Sequence, residues 1–221
     1  MRALFTRVAM AAAAILAIGA VAVVGATPAQ AATTKICSTQ AVPAGQVIVE
    51  VAQTSLCPNF QTWTITTPYE GVKVCALSPV PAPWVITRAE VGAPCGTYWK
   101  YELHAPYQGI LVCVYSPVPA GWVITWIGAN SVCQGYNSQR LNLPAENQQT
   151  CQTSPTPNPY VIVAVRTASQ CAGMYANTIR QVYNGVVVCN TSPVPPGYYA
   201  ASQAPVNLCI GTTMGWKLLH S

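Results

Sequence analysis

Apolar residues beyond residue 31 fall in short runs of the kind that form β-strands. Aromatic and β-branched residues cluster in Trp84-Val85-Ile86-Thr87 and again in Trp122-Val123-Ile124-Thr125, a composition typical of strands. A later segment alternates apolar and polar positions, so that Tyr101 and Leu103 share one face. Because no segment after residue 31 has a helical period, the pattern predicts an all-β protein.

The same order of segments recurs every 38 residues. Ten cysteines mark the repeat at alternating spacings of 20 and 18 residues: Cys37, Cys57, Cys75, Cys95, Cys113, Cys133, Cys151, Cys171, Cys189 and Cys209. Residues 32–221 number 190, which is five times 38. We therefore predict five tandem units of about three short antiparallel strands each: residues 32–74, 75–112, 113–150, 151–188 and 189–221. A linear array and a propeller-like ring both fit this repeat.

Each unit also has one stiff loop and one turn. Proline at every second position, as in Pro79-Val80-Pro81, holds the loop in an extended path. The turn, such as Pro106-Tyr107-Gln108-Gly109, leads into the first strand of the following unit. Unit 3 ends instead in Pro144-Ala145-Glu146-Asn147. This departure predicts a looser junction between units 3 and 4.

The cysteines are best explained as disulfides. A 38-residue unit buries too little surface to fold alone, so a covalent link is expected. Cysteines in an exported chain pair with each other, whereas zinc sites use closely spaced Cys pairs that this chain lacks. Either each unit is closed by its own bond, such as Cys37–Cys57, or bonds such as Cys57–Cys75 join neighbouring units. We favour closure within units, because the alternative leaves Cys37 and Cys209 unpaired unless the array closes head to tail.

Residues 1–31 are predicted to be a signal peptide. Arg2 and Arg7 precede an uncharged apolar stretch, and Ala29-Gln30-Ala31 matches the pattern that signal peptidase cleaves. No later apolar run is long enough to span a bilayer. We therefore expect a secreted, extracellular protein with no membrane span after cleavage.

Charge is low and scattered along the chain. Only 7% of the residues are charged, against about a quarter in ordinary soluble domains. Beyond residue 31, eight Lys and Arg residues stand against five Glu, which gives a net charge of +3. The basic residues occur singly, whereas nucleic-acid binding needs a basic stripe. We therefore expect no nucleic-acid partner.

The chain offers little material for acid–base catalysis. It has no Asp and two His, and its single cluster consists of Glu90, Glu102 and His104. Glu102 and His104 share a strand face, but no nucleophile recurs beside them. We predict no enzymatic activity, no cofactor and no metal.

Glu70 and Glu146 are interpreted as solvated turn residues. The serine before each Pro-rich loop is interpreted as a loop-closing hydroxyl: Ser78, Ser116, Ser154 and Ser192.

Aromatic residues recur at two positions of the unit and are the candidate ligand-binding residues. Directly after the Pro-rich loop lie Trp84, Trp122, Tyr160 and Tyr198. The turn contains Tyr69, Tyr107 and Tyr183. An exposed ring beside a rigid loop stacks on the apolar face of a sugar, and repeated weak sites combine by avidity. The alternative is that the rings cap small cores. Turns lie on the surface, so this alternative applies mainly to the loop position.

These features predict a secreted, non-enzymatic repeat protein that binds an extracellular polymer or surface glycan, with a lectin-like use of its aromatic rings. A structural coat or envelope protein that self-associates would also explain the low charge and high apolar content. A protease inhibitor would explain the stiff Pro-rich loops. Self-assembly would mark the second class, and one-to-one binding of a protease the third.

Overall fold

The computed structural model describes residues 32–221. The predicted signal peptide lies outside the described residues. Fifteen strands and one 3-10 helix, Ser131–Cys133, make up the regular structure of the described part. The strands form five three-stranded antiparallel sheets, so the all-β prediction and the five-fold repeat are confirmed.

Each sheet takes three strands that are consecutive in the chain. Unit 1 contains β1 (Thr34–Cys37), β2 (Val47–Gln53) and β3 (Gln61–Thr66); unit 2 contains β4 (Lys73–Cys75), β5 (Val85–Glu90) and β6 (Lys100–His104); unit 3 contains β7 (Leu111–Cys113), β8 (Val123–Ala129) and β9 (Asn137–Asn142); unit 4 contains β10 (Gln148–Cys151), β11 (Tyr160–Thr167) and β12 (Tyr175–Gln181); unit 5 contains β13 (Val187–Cys189), β14 (Tyr198–Pro205) and β15 (Met214–His220). A sheet begins about two residues before its first cysteine, so the predicted boundary at residue 75 falls within β4.

The third strand of every unit lies in the middle of its sheet. In unit 1, Trp63 of β3 pairs with Ile36 of β1 on one side and with Val51 of β2 on the other. The second strand is therefore an edge strand. In all five units it contains a bulge at the same position, for example between Ile48 and Glu50. The free amides along the edge of each second strand must bond to another part of the chain or to solvent.

The following unit covers that edge through a recurring serine. The amide of Ile48 donates to Ser78 Oγ at 2.8 Å, and the amide of Ile86 donates to Ser116 Oγ at 2.8 Å. Ser154 and Ser192 make the equivalent bonds at the next two junctions. The same hydroxyls donate to the carbonyl of the next proline, as the loop-closing interpretation requires. Unit 1 carries Gln40 at this position.

Each unit is closed by its own disulfide, as favoured from the sequence. The five bonds join cysteines 20 residues apart, with Cα atoms 5.3–5.7 Å from each other. Four of these disulfides also pack against the preceding unit. Cys75 and Cys95, for example, share a core with Ile48, Val51 and Ile65 of unit 1. The units therefore share their cores and are not independent stapled modules.

The junction between units 3 and 4 resembles the others, despite its different turn sequence. Asn147 adopts the left-handed conformation (φ 58°) that Gly71 and Gly109 adopt in the other turns, and Asn tolerates this region better than most residues. The Ile124 amide donates to Ser154 Oγ at 2.8 Å. The sequence departure thus leaves the junction intact.

The five units form an open array. Contacts between units link each second strand to the first strand of the next unit, as β2 contacts β4 and β11 contacts β13. The last second strand, β14, is mostly exposed, so no further unit covers it. Across residues 32–221, no helix has the length and apolar character needed to cross a membrane. Five disulfides fit a protein that is exported.

Candidate binding surface

The three turn tyrosines lie on the surface. Tyr69, Tyr107 and Tyr183 are 54%, 61% and 50% exposed. Each occupies the same position of a turn that joins the third strand of one unit to the first strand of the next. Unit 4 is entered through Ala145 at this position and so lacks the ring.

The turns hold these rings at fixed places in the array. The carbonyl of Tyr69 accepts from the Val72 amide at 3.0 Å, and the Gly71 amide donates to Leu103 of the middle strand at 2.9 Å. The turns at Tyr107 and Tyr183 have the same two bonds. The guanidinium of Arg180 lies 5.6 Å from the centre of the Tyr183 ring, a cation–π distance. The backbone of each turn is therefore ordered before any ligand binds.

The aromatic residues after the Pro-rich loops lie against the cores. Trp84 and Trp122 are half-buried and pack on the cores of units 2 and 3. Tyr160 is only 8% exposed, and its hydroxyl donates to the Pro144 carbonyl at 3.1 Å. Tyr198 packs on the last core and meets His220 edge to face at 5.2 Å between ring centres. Such burial favours a packing role for these four rings, while the turn tyrosines remain available for stacking.

Glu70, Glu102 and His104 form a compact cluster in unit 2. The His104 ring contacts Glu70 through Nδ1 at 2.5 Å and Glu102 through Nε2 at 2.9 Å, and the charged imidazole donates to both. The second oxygen of Glu70 accepts from the Ala105 amide at 3.0 Å. Glu90 makes no contact with His104 among the described hydrogen bonds and instead pairs with Lys73 at 2.6 Å and Lys100 at 3.2 Å. Both imidazole nitrogens are thus occupied by carboxylates, and neither is free to accept a proton from a substrate.

The electrostatics of the cluster stabilise a charged imidazole. Burial alone would lower the pKa of His104, but the hydrogen bonds to Glu102 and Glu70 outweigh it and raise the pKa above its ordinary value. The Ala105 amide and His104 lower the pKa of Glu70. Glu146 is tied in the same way in unit 4, where the Gln181 amide and Arg180 lower its pKa. The two turn glutamates are exposed, in line with their interpretation as solvated turn residues, and they also fasten the turn to the sheet.

The same tie recurs at the other turns with neutral side chains. Gln108 accepts from the Leu143 amide at 2.8 Å, and Asn184 accepts from the His220 amide at 3.0 Å. A side-chain oxygen at the third position of each turn was the sequence signal for this role: Glu70, Gln108, Glu146 and Asn184.

An aromatic ladder lies at the junction between units 2 and 3. Its ring centres are 5.2 Å apart for Tyr101 and Tyr115, 5.7 Å for Tyr115 and Tyr136, and 5.8 Å for Tyr136 and Trp99. Burial raises the pKa of Tyr115 to about 12, with a smaller contribution from the neighbouring Tyr101 and Tyr136. The ladder covers the disulfide Cys113–Cys133 at this junction.

Two open grooves lie at the next two junctions. The groove between units 3 and 4 has a volume of about 450 Å³, and Gln139, Thr153 and Met174 line it. The groove between units 4 and 5 has a volume of about 500 Å³, and Asn177 and Thr191 line it. The sequence analysis did not identify these residues as a site. Comparison of the chain with protein-family models, with curated proteins and with solved structures gives no match.

Proposed function

We propose that this protein is a secreted, non-enzymatic repeat protein that binds an extracellular or cell-surface polymer, with carbohydrate as the preferred class. The observation that carries the proposal is the set of three exposed tyrosines at equivalent turn positions. A repeating polymer presents the same chemical group at regular intervals. A repeat protein with one ring per turn meets such a ligand at several points, and the contacts combine by avidity.

The chemistry of the chain supports a neutral binding role over catalysis. Tyrosine rings stack on the apolar faces of sugars and offer a hydroxyl to their polar edges. The only Glu and His cluster in the described residues ties a turn to its sheet, with both imidazole nitrogens occupied. Low and scattered charge gives no long-range attraction for a highly charged partner.

The test is retention of the oxidised protein on insoluble cellulose, chitin, xylan and peptidoglycan. Replacing Tyr69, Tyr107 or Tyr183 singly by Ala is expected to weaken retention about threefold to tenfold. The triple variant is expected to lose about the product of the three factors, because the contacts are made by one molecule.

Tyr199→Ala is the matched control, since Tyr199 is also half-exposed but lies on β14 and not in a turn. It is expected to leave retention unchanged. Circular dichroism would confirm that the triple variant keeps its fold. Wild-type protein that none of the polymers retains would refute the function, whereas full retention of the folded triple variant would exclude only the turn tyrosines.

A further inference from the structure

The four junctions between units share one architecture but differ in what fills it. Three equivalent positions account for the difference. The first lies on the middle strand of the earlier unit, the second lies two residues after the first cysteine of the later unit, and the third lies three residues after that unit's second cysteine. They are occupied by Trp63, Leu77 and Tyr98 at the first junction, and by Tyr101, Tyr115 and Tyr136 at the second. At the third they are Gln139, Thr153 and Met174, and at the fourth Asn177, Thr191 and Thr212. Large rings thus give way to amides, hydroxyls and one Met.

These smaller side chains expose an apolar surface that the aromatic rings cover at the second junction. At the second junction, Tyr101 and Tyr115 pack over Ile86 and the Cys113–Cys133 disulfide. At the fourth, the equivalent Ile162 and the Cys189–Cys209 disulfide line an open groove. Volumes of about 450 and 500 Å³ lie within the range of about 300–1,000 Å³ found for small-molecule sites.

The grooves combine an apolar floor with neutral polar walls. Ile162, Val165 and the disulfide form the floor of the groove between units 4 and 5, and Asn177, Thr191 and Tyr175 stand around it. No charged side chain lines either groove. A ring with one apolar face and several hydroxyls, as in a neutral hexose, matches these walls better than a phosphate, a carboxylate or a cation.

Two amide side chains in the grooves have hydrogen-bonding atoms that no group of residues 32–221 uses. Asn177 is only 6% exposed, yet its side chain has no hydrogen-bond partner within residues 32–221. In the other groove Gln139 is 3% exposed. Its Nε2 donates to the Ser116 carbonyl at 3.4 Å, and its Oε1 has no partner in the described part of the chain. The fully buried polar atoms without a partner in the described residues are Gln46 Oε1, Trp63 Nε1 and Tyr115 Oη. The unbonded atoms of Asn177 and Gln139 are not among them, so both are open to the groove and to a sugar hydroxyl bound there.

An extended peptide fits the grooves less well, because the neighbouring strand edge is already used. The outer amides of β11 donate to unit 5, from Ile162 to Ser192 Oγ at 2.9 Å and from Val165 to the Leu208 carbonyl at 2.7 Å. A peptide that adds to a sheet needs such amides free. The groove offers side-chain groups instead, which is what a sugar uses.

We propose that the grooves at the third and fourth junctions bind neutral sugar residues of an extended polysaccharide, with Gln139 and Asn177 as the hydrogen-bonding residues. This inference rests on the proposed function. At the first two junctions the equivalent positions hold larger side chains, Trp63 and Leu77 at the first and Tyr101 and Tyr115 at the second. The two grooves therefore add sugar sites in units 3 to 5 to the turn tyrosines.

The direct experiment is a titration of the full-length mature protein with cellohexaose, chitohexaose, xylohexaose and mannohexaose, with oligogalacturonate as the charged comparison. Calorimetry gives the affinity. In parallel, ¹H–¹⁵N spectra follow the side-chain amides of Asn177 and Gln139, which are expected to shift with at least one neutral sugar and not with oligogalacturonate.

The chain itself supplies the variants that close the grooves. Asn177→Tyr with Thr191→Tyr places at the fourth junction the pair that Tyr101 and Tyr115 form at the second, a pair this fold accommodates. Gln139→Tyr with Thr153→Tyr does the same at the third. Each double variant is expected to weaken sugar binding about tenfold or more, through loss of the amide and of the open floor. Tyr101→Asn with Tyr115→Thr, which opens the second junction, is the control and is expected to retain binding.

The outcomes separate this inference from the function it rests on. Neutral-sugar binding that both closing variants leave unchanged overturns the groove site but leaves polymer binding standing. Retention of the protein by charged polymers alone would also overturn the groove site and leave polymer binding standing. Protein that no polymer retains refutes both proposals. Shifts of the Asn177 and Gln139 amides with neutral peptides and not with sugars would overturn the assignment of the ligand, and this measurement does not depend on any variant folding.

Discussion

Four serine hydroxyls each make two hydrogen bonds at the places where units meet. Ser116 accepts from the Ile86 amide of unit 2 and donates to the Pro117 carbonyl beside it. One bond fixes the start of the Pro-rich loop and the other satisfies an amide on the edge of the neighbouring sheet. In the first unit Gln40 occupies this position and accepts locally from the Cys37 amide.

Replacing Ser116 by Ala is expected to lower the free energy of unfolding by about 1–3 kcal/mol, because it leaves the Ile86 amide buried without an acceptor. Urea unfolding followed by tryptophan fluorescence measures the change. Ser55→Ala, at an exposed turn position, is the control and should change stability by less than about 0.5 kcal/mol. Equal stability of the two variants would show that water or another group replaces the serine.

The short elements of each unit were predictable because their signals are local. β-branched runs, the turn residues and the cysteine period each act over a few neighbouring positions. The order of strands within a sheet was not predictable, because it depends on which distant segments pair. The bulge in every second strand has no proline or glycine to mark it: the bulged positions hold Val49, Thr87, Thr125, Val163 and Ala201.

The same reasoning explains what the sequence revealed of the site. Turn chemistry placed Tyr69, Tyr107 and Tyr183 on the surface, and the structure agrees that they are exposed. The grooves are built from residues of two units, such as Asn177 and Thr191, that meet only after folding. Their signal is visible when the units are aligned on the 38-residue period, as the change from Tyr101 to Gln139 and Asn177.

The disulfides differ in how much of them a neighbouring unit buries, and this predicts unequal contributions to stability. Cys75 and Cys95 are fully buried against unit 1, whereas Cys37 is partly exposed. Both bonds close loops of 20 residues, so the contribution from chain entropy, about 3 kcal/mol, is the same for each.

Removing Cys75 and Cys95 together, as alanines, is therefore expected to cost about 1–3 kcal/mol more than removing Cys37 and Cys57 in the same way. Both cysteines of the first pair lie in a core shared with unit 1, whereas only Cys57 of the second pair is fully buried. Thermal unfolding of the two double variants under non-reducing conditions gives the comparison. A mass map of tryptic peptides would confirm that the other four bonds keep their partners. Equal losses would mean that the disulfide stabilises the unit without contributing to the junction.

At the scale of the whole molecule, the array has two different ends. The second strands of units 1 to 4 present Val or Ile at the first two junction positions, as Val161 and Ile162 do in β11, and an apolar residue at the third. β14 has Tyr199, Ala200 and Gln203 at the same three positions and ends in Pro205. Small and polar residues and a proline make an edge strand a poor template for further pairing. Terminal repeats of this kind keep an open array from extending.

This asymmetry leads to a prediction about assembly. Tyr199→Val, Ala200→Ile and Gln203→Val would give β14 the junction residues of β11, and Gln40→Ser with Ala41→Pro would give unit 1 the Ser-Pro pair that receives them. A contact between the two ends joins different surfaces and does not close on itself, so copies of the five-fold variant are expected to form open chains. Each added apolar side chain contributes about 1.5–3 kcal/mol on burial, and the sum of these contributions must exceed the cost of association.

Analytical ultracentrifugation from micromolar to millimolar concentration should show a rising mass for this variant. The three changes in β14 alone, or the two in unit 1 alone, should associate far less, because each matches only one side of the junction. If the five-fold variant keeps the mass of the wild type over the whole range, then the residues of β14 are not what prevents the array from extending.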